Sequence, residues 1–568
     1  MTNNPGTIGR RYGELLRSLN MIETDDINRA IAIQEKTGKN LDTVLVDNGM
    51  VDETQMLDAL SQHLGMESIE IKNIELPPEV LQEVPIRFVH RFNIIPVERR
   101  GDTLRIATGD PLNFNALDDL RLLLKCNIEP LLAPSDDIIA AIKKYYGIGA
   151  DTMDSLLEED GRPVEEEEFG DGNIEELSED ASIIRFVNQI MMEAVSDRAT
   201  DIHIEPFEEE LRIRYRIDGL LYEAVVPPSI RRYQAAVISR IKIMSDMNIA
   251  EKRLPQDGRI NIRTGNTEFD LRVSTIPTPY GESIVIRILN RDSTIFDLKQ
   301  LGFDEYSLER FENLITKPHG IILVTGPTGS GKTTTLYATL SKLNKMDVKI
   351  LTIEEPIEYH LKGIVQVQVT SKIGLTFASV LRSFLRQDPD IILVGETRDH
   401  ETAEIAIQAA LTGHLVFTTL HTNDAPGAIT RLIDMKVEPY LVSSSVIGVV
   451  AQRLMRRVCQ RCKEECFPEH DMLRGLGLLD EQYKDMKFYH GRGCEDCKFL
   501  GYRGRTAIYE IFEMTEDLRE LTVERVPASK IKQMALKEGL KTLRMSALEK
   551  VQQGESTVEE LIRVTQEW

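Results

Sequence analysis

The sequence predicts a multidomain α/β protein organised around one parallel sheet, and three observations carry that prediction. Residues 320–334 read G-I-I-L-V-T-G-P-T-G-S-G-K-T-T: an apolar, β-branched run suited to a buried parallel strand, a glycine loop, then a helical pattern to residue 343. Further apolar runs at 348–353, 391–394 and 413–420 each end in acidic or polar residues, as strands do where ligands collect at the carboxyl edge of a doubly wound sheet. The length of 568 residues suggests roughly three to four domains, and 42% hydrophobic residues suffice for several cores.

The N-terminal segment, 1–65, holds an internal repeat. Arg11-Tyr-Gly opens one unit that closes at Gln34, and Asn40-Leu-Asp opens a second that closes at Gln62. Each reads as two short amphipathic helices about a turn, the pattern of a duplicated helical docking module. Residues 66–150 predict a small α+β domain with a hairpin about Arg100-Gly-Asp and helices at 115–124 and 136–146. Residues 151–180 carry 14 Asp/Glu against the single Arg162, a self-repelling composition that predicts an extended linker.

That linker holds much of the formal charge of −24, which argues against a general nucleic-acid binder. No run approaches the ~18 apolar residues of a membrane span, and the first residues lack an export-signal pattern, so the cytosol is the expected compartment.

From 181 to 295 a helix at 183–195 precedes alternating strands at 199–206, 211–219, 271–275 and 283–289. The alternation places Arg272 and Arg287 off the apolar face, where a solvated arginine needs no further role.

The chemistry concentrates in 296–568. Gly326, Pro327, Thr328, Gly329, Ser330, Gly331, Lys332, Thr333 and the adjoining Thr334 form a complete G-x-x-x-x-G-K-T loop. Its glycines let backbone N–H groups curl around phosphate, Lys332 reaches the β/γ-phosphates of ATP, and the Thr333 hydroxyl suits Mg²⁺. Glu354, Glu355 and Glu358 follow one strand. Glu396 follows the four-residue strand 391–394 as a Walker B carboxylate would, and His421 ends another.

Of six cysteines, Cys459-x-x-Cys462 and Cys494-x-x-Cys497 form two pairs 31 residues apart, in a module spanning 455–505. Two such knuckles suit a tetrahedral, structural Zn²⁺, whereas a single pair would also suit redox chemistry. Cys466 is a spare thiol.

Four segments in order, 326–333, 352–358, 395–399 and 413–423, resemble the Walker A, Asp-box, Walker B and His-box motifs of the secretion ATPase superfamily. That superfamily contains type II secretion ATPases and type IV pilus assembly and retraction ATPases. The resemblance implies a RecA-like P-loop ATPase core over 296–568, with C-terminal helices, preceded by a PAS-like α+β domain over 181–295. It implies that Glu358 activates the attacking water, that Glu396 is the Walker B glutamate orienting Mg²⁺ or its waters, that His421 is the His-box histidine contacting the γ-phosphate, and that Arg272 and Arg287 reach that phosphate. Glu355 stands where this box usually has Asp.

The tetracysteine insertion occurs in the secretion and pilus-assembly members and not in the retraction type. Residues 427–434 and 437–445 look more like the type II branch, with pilus extension as the alternative. A homohexamer is implied, working with an inner-membrane platform protein and a cytoplasmic adaptor domain, and peripheral to the membrane. The 1–65 repeat resembles a cyclic-di-GMP-binding domain whose motifs open Arg-Leu-Gly. Here Asn40-Leu41-Asp42 lacks both the arginine and the glycine of the second motif. A nucleic-acid motor is the competing class, and the acidic charge and lack of a basic, aromatic-interleaved groove weigh against it.

Overall fold

Runs that alternate polar and apolar residues fold in this chain as antiparallel strands with one wet face, and runs apolar throughout fold as buried parallel ones. A computed structural model describes residues 16–147, 181–290, 297–468, 472–473 and 486–566, apart from 20, 38–40, 52, 72–73, 82, 110–113 and 266. The acidic stretch 151–180 and the repeat openings at 11–13 and at Asn40 lie outside the described residues. The chain separates into two compact units, Met1–Asn290 and Arg291–Trp568.

In the first unit, helices Thr24–Thr37, Leu41–Asp47 and Glu53–Leu64 bury Ile27, Ala30, Val44, Leu45 and Leu60 against one another. A three-stranded sheet follows: β1 (Ile94–Arg100), β2 (Thr103–Thr108) and β3 (Asn127–Leu132). β1 and β2 form the hairpin expected about Gly101, while β3 runs parallel to β2 after the helix Phe114–Leu124. β3 carries Pro130 and sits at the sheet edge, where a missing ladder donor is tolerated.

The remainder of this unit is a six-stranded antiparallel sheet. Its strands are β4 (Asp201–Pro206), β5 (Leu211–Ile217), β6 (Leu220–Glu223), β7 (Gln256–Thr264), β8 (Thr267–Thr278) and β9 (Gly281–Asn290), in the order β6-β5-β4-β9-β8-β7. Ile202, Ile204, Ile213, Leu271, Val273, Ile284 and Ile286 line one face and pack with Phe186, Ile190, Val237 and Ile241 of helices Ala181–Ser196 and Gln234–Met244. The opposite face is polar.

The second unit is built on the apolar runs. β10 (Gly320–Thr325), β11 (Ile350–Glu354), β12 (Val365–Gln368), β13 (Ile391–Val394), β14 (Leu415–Leu420) and β15 (Val446–Val458) are joined by parallel pairing. β16 (Lys463–Cys466) and β17 (Phe488–Gly491) form a separate ribbon, and β18 (Tyr502–Glu513) returns antiparallel to β15. The resulting order is β12-β11-β13-β14-β10-β15-β18. β10, β11, β13 and β14 are buried at every position, so helices must cover both sheet faces.

Register aligns their carboxyl ends: Thr325 lies beside Leu420, Val394 beside Thr418, and Ile353 beside Val394. Every loop leaving those ends opens onto the same edge. No helix among the described residues is long and apolar enough to cross a membrane.

Candidate functional site

The phosphate loop leaves β10 at Gly326 (φ 149°), and its last glycine, Gly331 (φ 88°), starts the helix Lys332–Leu343. A Cβ at Gly326 would stand 2.4 Å from the Gln452 carbonyl oxygen, so the backbone passes too close to β15 for any side chain. No side chain caps the helix start, which leaves its first-turn N–H groups to an anion. The buried Ser330 Oγ has no hydrogen-bond partner among the described residues, a polar atom suited to an anionic ligand or its metal. Lys332 Nζ donates to the carbonyls of Gly326 at 2.7 Å and Pro327 at 3.0 Å. Burial lowers its pKa, and the Glu396 carboxylate acts in the opposite direction. Thr333 is exposed at the loop end, and Thr334 is half-buried.

Glu396 follows β13 and His421 follows β14, adjacent strands whose ends therefore meet. His421 Nε2 lies 3.1 Å from Glu396 Oε1, and Arg398 lies 2.7 Å from Glu396 Oε2. The Arg398 hydrogen bond, then its charge and the contact with His421, hold the Glu396 carboxyl below its ordinary range against the opposing effect of burial. A second Arg398 nitrogen stands 4.0 Å from Glu355 Oε2, so one guanidinium spans the Asp-box and Walker B segments. Thr325 Oγ1 bonds Thr422 Oγ1 at 2.7 Å and accepts from Thr422 N at 2.9 Å, pinning the loop after His421 to the end of the phosphate-loop strand.

Glu358 is half-buried beyond β11, and its N–H donates to the Tyr337 hydroxyl at 3.4 Å. The structure thus brings the phosphate loop, Glu396 and His421 to one sheet edge, with the segment carrying Glu358 leaving the same edge from β11.

Arg272 and Arg287 lie in the first unit as direct cross-strand partners on β8 and β9. They belong to a longer row on the polar face: Arg216, Asp201, Arg287, Arg272 and Arg259 are in register across β5, β4, β9, β8 and β7. Asp201 is the single anion of that row. Its Oδ1 is 3.2 Å from Arg287 Nε, and its Oδ2 is 3.6 Å from Arg216 Nε and accepts from Thr200 Oγ1 at 2.8 Å.

Cys459, Cys462, Cys494 and Cys497 converge between β15 and β18, their sulfurs all within 4.8 Å of one another. Separations of 3.7 Å (Cys459 to Cys494), 3.8 Å (Cys462 to Cys497) and 3.8 Å (Cys494 to Cys497) fit a tetrahedral zinc. Zn–S bonds of about 2.3 Å at tetrahedral angles put sulfurs about 3.8 Å apart. Backbone N–H groups of Gly493 and Gly501 donate to Cys462 and Cys497 sulfurs at 3.3 Å, support suited to thiolates. Cys466, on β16, stands outside this cluster.

Sequence reasoning missed Tyr337, Gln366 and Asp201, and named Glu354 without giving it a role. All four are half-buried or buried polar groups with partners on other elements, and only the Thr-Ile-Glu-Glu-Pro-Ile-Glu string around Glu354 hinted at any of them.

A family model described as Type II/IV secretion system protein matches residues 176–563, and the MshEN domain matches residues 64–152. Type IV pilus assembly ATPase PilB of Myxococcus xanthus is 43% identical over 557 residues, covering 97% of this chain and 98% of that protein. Type II secretion system protein E of Xanthomonas campestris pv. campestris is 43% identical over 562 residues, covering 98% of each. Among solved structures, the pilus retraction motor PilT with bound ADP is 27% identical, with a TM-score of 0.44 over 66% of this chain and 96% of that one.

Proposed function

The chain belongs to the Type II/IV secretion system protein family, whose members include secretion and pilus ATPases, and from that premise we propose how its site hydrolyses ATP and what the hydrolysis drives. The observation that carries the reading is the meeting of Glu396 and His421 at the sheet edge where the phosphate loop begins.

The loop amides and Lys332 bind the β/γ-phosphates, and Lys332 exchanges its two carbonyl acceptors for phosphate oxygens. Magnesium arriving with the nucleotide would be held by the Thr333 hydroxyl, with the Glu396 carboxylate orienting it or its waters, a hard-oxygen donor set, and would neutralise phosphate charge. Glu358 orients the attacking water and accepts its proton. His421, held by Glu396, senses the γ-phosphate. Arg272 and Arg287 supply the positive charge that a loose phosphoryl transition state needs.

The work is assembly of a pseudopilus or pilus at an inner-membrane platform, by a homohexamer on the cytoplasmic face with an adaptor domain. Type II secretion is the reading favoured by residues 427–434 and 437–445. Pilus extension is the second reading, supported by a PilB of equal identity and nearly full coverage. The cysteine lobe holds a structural zinc. Cyclic-di-GMP is proposed for the N-terminal part. The MshEN match falls on 64–152, whereas the repeat that suggested the ligand occupies 1–65, so titrating the full chain with cyclic-di-GMP tests it, and no saturable signal would remove it.

ATPase activity of the purified protein, with and without the cytoplasmic domains encoded beside its gene, tests the motor. Stimulation by those domains is expected, and stimulation by DNA instead would overturn it. Deleting the gene and scoring protein export against surface pili separates the two branches.

A further inference from the structure

We propose that the Tyr337 hydroxyl is a positioning group for ATP hydrolysis, tying the helix that follows the phosphate loop to the segment that carries Glu358. This deepens the reading of Glu358 given above and rests on it.

Four elements meet at this hydroxyl. Tyr337 lies on the helix Lys332–Leu343 and is fully buried. Its hydroxyl donates to Oε2 of Glu354, the last residue of β11, which is itself 4% exposed. The other oxygen of that carboxylate accepts from Thr352 Oγ1 at 2.6 Å and from Gln366 Nε2, on β12, at 3.2 Å. Both carboxylate oxygens are thus engaged within the protein, which suits Glu354 to orienting its neighbours rather than to meeting substrate.

A hydroxyl proton ordinarily rotates to suit its surroundings. Here the buried carboxylate fixes it, and the oxygen's acceptor side faces the Glu358 N–H at 3.4 Å and the Gln366 amide at 3.5 Å. These two contacts are long, so the arrangement works as a set. Gln366 also donates to the Tyr359 carbonyl at 3.2 Å and accepts from Leu361 N at 2.7 Å. The backbone of Glu358, Tyr359 and Leu361 therefore ends on two side chains that share one carboxylate. The Tyr359 ring stands edge-on to Tyr337, with centroids 4.5 Å apart at 80°, and closes the apolar side.

The consequence is mechanical. Tyr337 is five residues beyond Lys332 on one rigid helix, about 7.5 Å along the axis. The spacing between the phosphate-binding end of that helix and the backbone of Glu358 is set at the hydroxyl. An in-line water tolerates little misplacement, so loosening this tie slows the chemical step while leaving the phosphate grip intact.

The test is Tyr337→Phe in the full-length protein, compared with Glu358→Gln and the double variant by steady-state and single-turnover hydrolysis of γ-labelled ATP. Phenylalanine keeps the ring contact and the volume. The expected result is kcat lower by about tenfold, KM for ATP within about twofold, and a double variant no slower than Glu358→Gln alone. Wild-type turnover in Tyr337→Phe, or a double variant slowed by the full single-variant factor, overturns the proposal. Wild-type turnover in Glu358→Gln defeats the reading of Glu358 and this proposal with it. A slow Glu358→Gln beside a normal Tyr337→Phe defeats the proposal alone. Should Tyr337→Phe lose its folding transition, Glu354→Gln probes the same hydroxyl through its acceptor, with the same signature supporting the proposal and wild-type turnover overturning it.

Discussion

His421 Nε2 lies 3.1 Å from one oxygen of Glu396 while Arg398 lies 2.7 Å from the other, so one carboxylate joins the ends of β13 and β14 beside the phosphate loop. Because Arg398 holds the Glu396 carboxyl below its ordinary value of 4.5, the folded protein binds fewer protons there than the unfolded chain. That stabilisation is complete above the unfolded value and is lost as pH falls through the folded one. Arg398→Gln lets the folded value rise. The variant should be less stable than the parent from about pH 5 to 8, with the gap closing at lower pH. Arg398 is 66% exposed, so the gap is held under about 1 kcal/mol by solvent screening. Urea denaturation at neutral and acid pH reads it.

Lys332→Ala removes the cation whose present acceptors are the Gly326 and Pro327 carbonyls. Turnover should fall by at least about 100-fold, with a raised KM for ATP, since the lysine serves both bound substrate and transition state. Phosphate release by the purified variant measures both.

Arg287 is 57% exposed and owes its direction to Asp201. Arg287→Ala should cost on the order of 10³-fold in kcat if its guanidinium meets the developing charge. Lysine at 287 should not rescue it, because a point charge cannot reproduce the fork. Asp201→Asn should give a smaller loss, about tenfold in kcat at little change in KM, since the arginine remains but loses its anchor. An Asp201→Asn protein with normal kcat would show that the row serves only the sheet.

These predictions divide by how visible their residues are in the sequence. The loop 326–333 is legible because its spacing is local and each residue has one duty. Glu396 is legible because a strand as short and apolar as Ile391–Val394 must be buried, which puts the next residues at its carboxyl edge. By contrast, β12 is four residues at a sheet edge, too short for its alternation to register, and with it Gln366 is lost. Asp201 and Arg287 are 86 residues apart, and Tyr337 and Gln366 are 29 apart. Long-range contact, by strand register for the first pair and helix-to-strand packing for the second, makes each pair, and no window of sequence contains it. β3 escapes for a related reason: N-I-E-P-L-L reads as a broken strand until the edge position makes its proline harmless.

The cysteine lobe gives the last prediction. It is inserted between β15 and β18, and β15 is also a parallel neighbour of the phosphate-loop strand β10. The backbone closes the insertion where Cys459 N donates to Gly501 O at 3.0 Å. The four sulfurs lie within 4.8 Å of one another, three of their separations at the 3.7–3.8 Å of a tetrahedral site, so the purified protein should carry about one zinc ion per chain. Cys459→Ser or Cys494→Ser should lose it and lower the melting temperature, because binding energy at a closed four-sulfur site is folding energy. Cys466→Ser should keep it, since Cys466 is outside the cluster. Metal analysis of the three variants beside their melting curves decides the matter: zinc near zero in the parent, or zinc lost with Cys466, would refute the assignment.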